Sequence, residues 1–346
     1  MGISAGDYSV VTNSGTITTS GDAINVGDHS DVTNTNEIST TTGAGIYSGD
    51  YADVTSSGSI DGGNGGIVVG DESSVDNSGD VATIYGNGIE TGAYASVVNS
   101  GDVSSTNSDG IHAGSYNSVT NSGTIDTGAF GIEVGDGSTV YNSGSVTSSS
   151  AAAVALNGSG AVTNTGSLSG IYDIYASEGD VTVKNTGTIH GANAAIDATS
   201  GTDKLTVNNS GEIGIDDESD TSLYGTLTAA DAAFITNLTS GTITGSSSGI
   251  SASSGIVTIA NASTISGGDY GIEITDDAVL KLANSGTISS SISAVKLASG
   301  STGNTITICD GAVLDGGTDY NNASATTFFS TSGIYTLDVA NYNNVQ

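Results

Sequence analysis

A heptad, Val11-Thr12-Asn13-Ser14-Gly15-Thr16-Ile17, returns with light edits along almost the whole chain. Anchored on its first apolar residue, the copies begin at Val11, Val32, Val54, Val75, Val97, Val119, Val140, Val162 and Val183, so every step is 21 or 22 residues. Beyond Val183 the period loosens, with copies at Val207, Ile259 and Leu282, a stretched one between Ile235 and Ile243 and a degraded one near Ile308. Length alone would divide 346 residues into about two globular domains, but a fixed period of this size makes one array of stacked units the stronger expectation.

Each repeat carries two apolar segments. The first is the anchor strand, Ser9-Val10-Val11-Thr12-Asn13, which ends in a Ser-Gly or Thr-Gly corner before Thr16-Ile17. The second follows a Gly-Ile pattern, as in Gly45-Ile46, Gly66-Ile67-Val68-Val69, Gly110-Ile111, Gly131-Ile132-Glu133-Val134 and Gly271-Ile272. Glycine and asparagine punctuation between such runs gives three short strands per coil. Alternation sends Val11, Ile17, Ile24 and Val26 inward, with Thr12, Thr16 and Asn25 outward. One coil cannot bury so few residues; stacked coils can. The expected fold is all-β: a single-stranded right-handed parallel β-helix, or β-solenoid, of 21–22 residues per coil. β-branched residues and glycines fill every window and no 3.6-residue apolar face appears, which argues against helix. Zero proline keeps every backbone donor available to the ladders.

One repeat position is nearly always asparagine: Asn13, Asn34, Asn77, Asn99, Asn121, Asn142, Asn164 and Asn185, then Asn209, Asn261 and Asn284. Stacked amides can bond to their counterparts in adjacent coils, so this column reads as an internal ladder. Two residues later comes a glycine, as in Gly15, Gly58, Gly79, Gly101, Gly123, Gly144, Gly166, Gly187, Gly211 and Gly286, for which a positive φ at the corner is expected. The array is expected to span 1–315, with an acidic insertion at 214–220 around Asp216. Residues 316–346 depart from the pattern and carry Phe328, Phe329, Tyr335 and Tyr342, read as a C-terminal cap or assembly segment.

The charge balance is extreme: 37 acidic residues against four lysines and no arginine, a formal net charge of -33. Without a basic stripe the chain has nothing with which to neutralise phosphates, so nucleic acid is excluded as a partner and anionic membrane surfaces are disfavoured for the same reason. Such a surface is best tolerated where salt or calcium screens its self-repulsion. No stretch is long enough to span a bilayer, and the N-terminus lacks the basic and apolar regions of a leader, so export relies on a removed signal or on a C-terminal one. The single cysteine, Cys309, reads as a small buried hydrophobe in the strand around Thr305–Ile308.

Little here favours catalysis. His29, His112 and His190 occupy different repeat columns, more than a coil apart, so no histidine-centred dyad or metal cluster is expected. A polysaccharide-active β-helix remains the lesser alternative, since aspartates are abundant enough to supply a carboxylate pair. Cation binding has the better basis. The turn before the anchor strand stacks Asp7, Asp28, Asp50 and Asp71, followed by Asp136, with Asp31 and Asp53 three residues beyond their turn partners. Stacked carboxylates repel unless a hard cation or water spaces them, and Asp28, Asp31, Asp50 and Asp53 are the candidate calcium ligands. Tyr8, Tyr51, Tyr94 and Tyr116 share a neighbouring column, as surface decoration or as a lateral contact.

The Val-Thr-Asn-Ser-Gly-Thr-Ile unit followed by Gly-Ile-x-Val-Gly resembles the repeats of autotransporter and haemagglutinin-type surface proteins of Gram-negative bacteria, over residues 1–315. That resemblance implies an exported, surface-exposed β-helix, a fold that hosts many activities. The expected function is a non-enzymatic extracellular structural protein: a self-assembling subunit of a cell-surface filament, layer or matrix, with itself as partner. The alternative is an adhesin-like rod that binds surface glycans or other cells.

Overall fold

A computed structural model describes residues 2–198, 202–215, 225–229, 232–316, 318–319 and 327–330. The protein is a β-solenoid of about 13 turns in which parallel strands stack into three columns, and no helix occurs among the described residues. Two compact units divide it, Met1–Ile171 and Tyr172–Gln346.

In the first unit a representative coil runs Asp31–Asn34, Ile38–Thr40 and Ala44–Tyr47. The anchor column keeps Val11, Val32, Val54, Val75, Val97, Val119, Val140 and Val162 in strict parallel register. The second column stacks Ile17, Ile38, Ile60, Val81, Val103, Ile125, Val146 and Leu168. The third stacks Ile24, Ile46, Ile67, Ile89, Ile111, Ile132 and Val154. Apart from the half-buried Ile17 these side chains are buried. Each contributes about 1.5–3 kcal/mol by leaving water. Val26 is buried as expected, while Thr12 and Thr16 face solvent. One face of each strand thus carries the core, and period-two alternation fixes the register, because a one-residue slip would expose the whole ladder.

The second unit repeats this plan. Its anchor column runs Val183, Val207, Ile235, Ile259, Leu282 and Ile306. The acidic insertion begins after the second-column strand Glu212–Ile215, and the third column resumes at Gly225–Ala229. Its residues 216–220, including Asp216, lie outside the described residues. Parallel pairing continues beyond residue 316: Thr318–Asp319 pairs with Val295 and Lys296, and Thr327–Ser330 pairs with Thr305–Ile308. The backbones of Phe328 and Phe329 therefore stand in the anchor column, opposite Ile306 and Thr307. Tyr335 and Tyr342 lie outside the described residues. Cys309 follows the strand Thr305–Ile308 and is half-buried rather than part of the core.

The corner glycines do not do what their position predicts. None of Gly15, Gly58, Gly79, Gly101, Gly123, Gly144, Gly166, Gly187, Gly211 and Gly286 has a positive φ. Close approach is what calls for glycine from Gly58 on, though not at Gly15, where a Cβ would meet nothing: a Cβ on Gly101 would be driven into the carbonyl oxygen of Gly79 one coil earlier, and Gly123 meets Gly101 in the same way. The left-handed conformation falls at the turn before the anchor strand. There it is adopted by non-glycine residues, Tyr8 (φ 58), His29 (φ 55), Tyr51 (φ 58), Glu72 (φ 55), Tyr94 (φ 58) and Tyr116 (φ 60). For an L-residue that conformation costs about 1–2 kcal/mol, so these turns hold strain that the flanking ladders must offset.

Candidate functional site

Polar and aromatic side chains also stack from coil to coil, and the first of these columns is architectural. Asn99 Nδ2 donates to the Gly101 carbonyl (2.9 Å) and to Asn121 Oδ1 (2.9 Å), using both of its protons. In the first unit the amide rungs run Asn13 to Asn34, then Asn77 to Asn99, Asn121, Asn142 and Asn164. In the second they run Asn185 to Asn209, Asn237, Asn261 and Asn284. Asn237 belongs to this ladder although the insertion hides it from a count along the sequence. All these amides are buried, where an unpaired one would be costly.

The acidic turn column is bonded from coil to coil as well. Asp7 Oδ1 accepts the Asp28 N–H (3.1 Å), Asp28 Oδ1 that of Asp50 (3.0 Å), Asp50 Oδ1 that of Asp71 (2.9 Å) and Asp71 Oδ1 that of Ala93 (2.7 Å). The glycine that precedes the turn position, Gly27, Gly49, Gly70 or Gly92, is what lets the carboxylate of the previous coil approach. Asp31 and Asp53 are register partners on the exposed face of the anchor column, and Ser74 donates to Asp53. Asp28, Asp31, Asp50 and Asp53 thus line two adjacent columns and do not converge on a shared point.

Beside the aspartates the exposed aromatic column holds more than the four tyrosines. His29 stacks between Tyr8 (4.8 Å between centroids, 8° between planes) and Tyr51 (4.7 Å, 10°), and Tyr94 stacks on Tyr116 (5.0 Å, 10°). Glu72 takes the slot between the two stacks and accepts a hydrogen bond from the Tyr51 hydroxyl (3.0 Å), which raises the phenol above its ordinary pKa.

The third column brings together a cluster that sequence reasoning missed. His112, in the strand Ile111–Ala113, stands in register with Glu133 of the next coil and Glu90 of the previous one. Asp109 lies three residues earlier, at the turn. His112 Nδ1 is 2.8 Å from Glu133 Oε2 and 3.3 Å from Asp109 Oδ2. The hydrogen bonds to Asp109 and Glu133 outweigh burial and push the imidazole up to about 10. In return His112 holds the Glu133 carboxyl down to about 2 against the effect of burial. Among the described residues this is the one group of three or more such side chains whose ligand atoms all lie within 4.8 Å of one another. Contrary to the expectation of isolated histidines, His112 is hydrogen-bonded to two carboxylates, which the wide spacing of the three histidines does not reveal. The readable signal was a carboxylate at minus three and another one coil later at the same slot.

In the second unit Glu273 follows Gly271-Ile272 as Glu133 follows Gly131-Ile132. Its partner is Lys296 one coil on (2.7 Å), whose ammonium sits 4.1 Å from the Tyr270 ring centroid, and Ser248 donates to its other oxygen (2.7 Å). Burial works against the Lys296 charge, yet Glu273 and Tyr270 more than offset it and raise its pKa. His190 lies 3.3 Å from Glu212 in the second column.

Comparison with protein-family models, with curated proteins and with solved structures gives no match to this chain.

Proposed function

We propose that the chain is a non-enzymatic structural protein of the cell surface or cell exterior, which assembles with copies of itself into a filament, layer or matrix. The observation that carries this reading is the sameness of the coil faces. Coils within a unit meet through strand edges in one register, joined along most of the stack by amide rungs and, from Asp7 to Asp71, by turn carboxylates. A surface that already templates coil on coil is equally suited to contact between copies, and such a heterologous joint propagates instead of closing. The kinship to autotransporter and haemagglutinin-type repeats belongs to the same proposal, since it rests on the heptad alone.

Copies carrying a formal net charge of -33 repel one another, so assembly calls for counter-cations. Calcium is the proposed one. The turn aspartates spend one oxygen each on the next coil, which leaves the other for cations shared along the wall or between walls. The stacked rings support the structural reading over a glycan platform. Sugars pack on open aromatic faces, whereas Tyr8, His29 and Tyr51 turn their faces to one another.

Electron microscopy of the purified protein in calcium and in excess chelator tests the proposal. Filaments or sheets in calcium that disperse in chelator support it. Short monodisperse particles under both conditions count against assembly.

A further inference from the structure

We propose that Asp109, His112 and Glu133 form a mononuclear site for a divalent transition-metal cation of the zinc class, on the third strand column of the first unit. The donor set is one imidazole nitrogen and two carboxylate oxygens, and the three atoms already point at one another: Nδ1 lies 2.8 Å from Glu133 Oε2 and 3.3 Å from Asp109 Oδ2. A cation placed among them forms bonds to Nδ1, Oδ2 and Oε2, and the proton that Nδ1 now shares with the carboxylates leaves to solvent.

The carboxylates are aimed rather than free to turn. Asp109 Oδ1 accepts the Phe130 N–H at 3.0 Å, and Glu133 Oε1 accepts the Asn157 side-chain amide at 2.6 Å. Each carboxylate therefore has one oxygen anchored to the scaffold and the other directed at His112. Outer-shell anchoring of this sort is what orients metal ligands. The Asp109 and Glu133 side chains are 12% and 17% exposed, whereas His112 is 41% exposed, so water can reach the outer side and complete the coordination shell. Imidazole suits zinc, copper, iron and nickel, while calcium and magnesium prefer oxygen donors throughout, so the site differs in chemistry from the aspartate column.

A plain ion pair is the competing reading, and the second unit supplies the contrast. There the slot of Glu133 is filled by Glu273, and Lys296 answers it with an ammonium that has no lone pair to offer. His112 can give up its Nδ1 proton and present a lone pair between two fixed oxygens.

Calorimetric titration of the metal-stripped full chain with Zn²⁺, in excess Ca²⁺ to occupy the remaining carboxylates, reads the site directly. One zinc per chain is expected to bind despite the calcium, to be lost in His112→Gln, and to be weakened about 10- to 100-fold in Asn157→Ala. Long-range proton–nitrogen NMR of the unmutated protein serves if a variant fails to fold: zinc should move the His112 Nδ1 resonance to a metal-bound shift. No zinc bound in the presence of calcium, undiminished binding by folded His112→Gln, or an unmoved Nδ1 resonance would each overturn the proposal.

Discussion

Ser56 stands in register with Asn77 one coil before it and donates its hydroxyl to the Gly58 carbonyl, leaving Asn77 Oδ1 buried with no donor. Elsewhere in the first unit an asparagine in that slot would supply the missing proton. Asn34, on the other side of Ser56, reaches the serine hydroxyl only at 3.3 Å. Ser56→Asn should therefore join the two halves of the ladder. The expected gain is about 1–2 kcal/mol, read as a raised midpoint in denaturant with unchanged slope; an unchanged or lower midpoint would show that the slot is too tight for the amide.

Replacing Gly101 by alanine tests the account of the corners. If positive φ were the reason for glycine there, asparagine would be nearly as good. Because the obstacle is the Gly79 carbonyl, Gly101→Ala and Gly101→Asn should both destabilise, by about 1–3 kcal/mol. Equal stability of the asparagine variant and the parent would contradict the close-approach explanation.

The His112 cluster predicts a stability window in metal-free protein. His112 is raised from 6.5 to about 10, so its contribution is complete below 6.5 and is lost as pH rises through 10. Glu133 is lowered from 4.5 to about 2, so its contribution is complete above 4.5 and is lost as pH falls through 2. The stability difference between the parent and His112→Gln should thus be largest between 4.5 and 6.5 and shrink on both sides. A difference independent of pH would mean that packing, not charge, explains the effect of His112.

Glu72 interrupts the aromatic column, and Glu72→Tyr should let the Tyr8–His29–Tyr51 stack run on into Tyr94–Tyr116. The left-handed turn is no obstacle, since four tyrosines of the column already adopt it. Stacking is worth about 0.5–1.5 kcal/mol per pair. Loss of the carboxylate should also bring the Tyr51 phenol back toward 10.0, visible by ultraviolet titration. A lowered melting temperature, or a phenol that titrates as before, would show that the column has no room for another ring.

Much of the scaffold was legible because few residue types repeat at fixed slots. Val32, Ile38 and Ile46 announce three ladders, and Asn13 through Asn185 announce a fourth. What could not be read was anything that depends on the distance between coils. The need for glycine at Gly101 comes from a carbonyl 22 residues earlier, and nothing local distinguishes it from a positive-φ glycine. His29 was hidden among tyrosines because stacking is indifferent to residue name. His112 was hidden because its partners, Asp109 and Glu133, are ordinary acids in a chain full of them. The candidate calcium residues Asp28 and Asp50 were placed correctly in one column, but their role as acceptors for the N–H groups of Asp50 and Asp71 is invisible without coordinates.

The asparagine ladder has an orientation. In both units every amide rung runs from a donor in the earlier coil to an acceptor in the later one, from Asn77 to Asn164 and again from Asn185 to Asn284. Each column of side-chain amides is thus a row of aligned dipoles, a vector where the backbone pairing alone has bonds running both ways. Two coils brought together in opposite senses would set donor against donor or acceptor against acceptor. The column therefore works as an arrow: within each unit it fixes the sense in which one coil follows another.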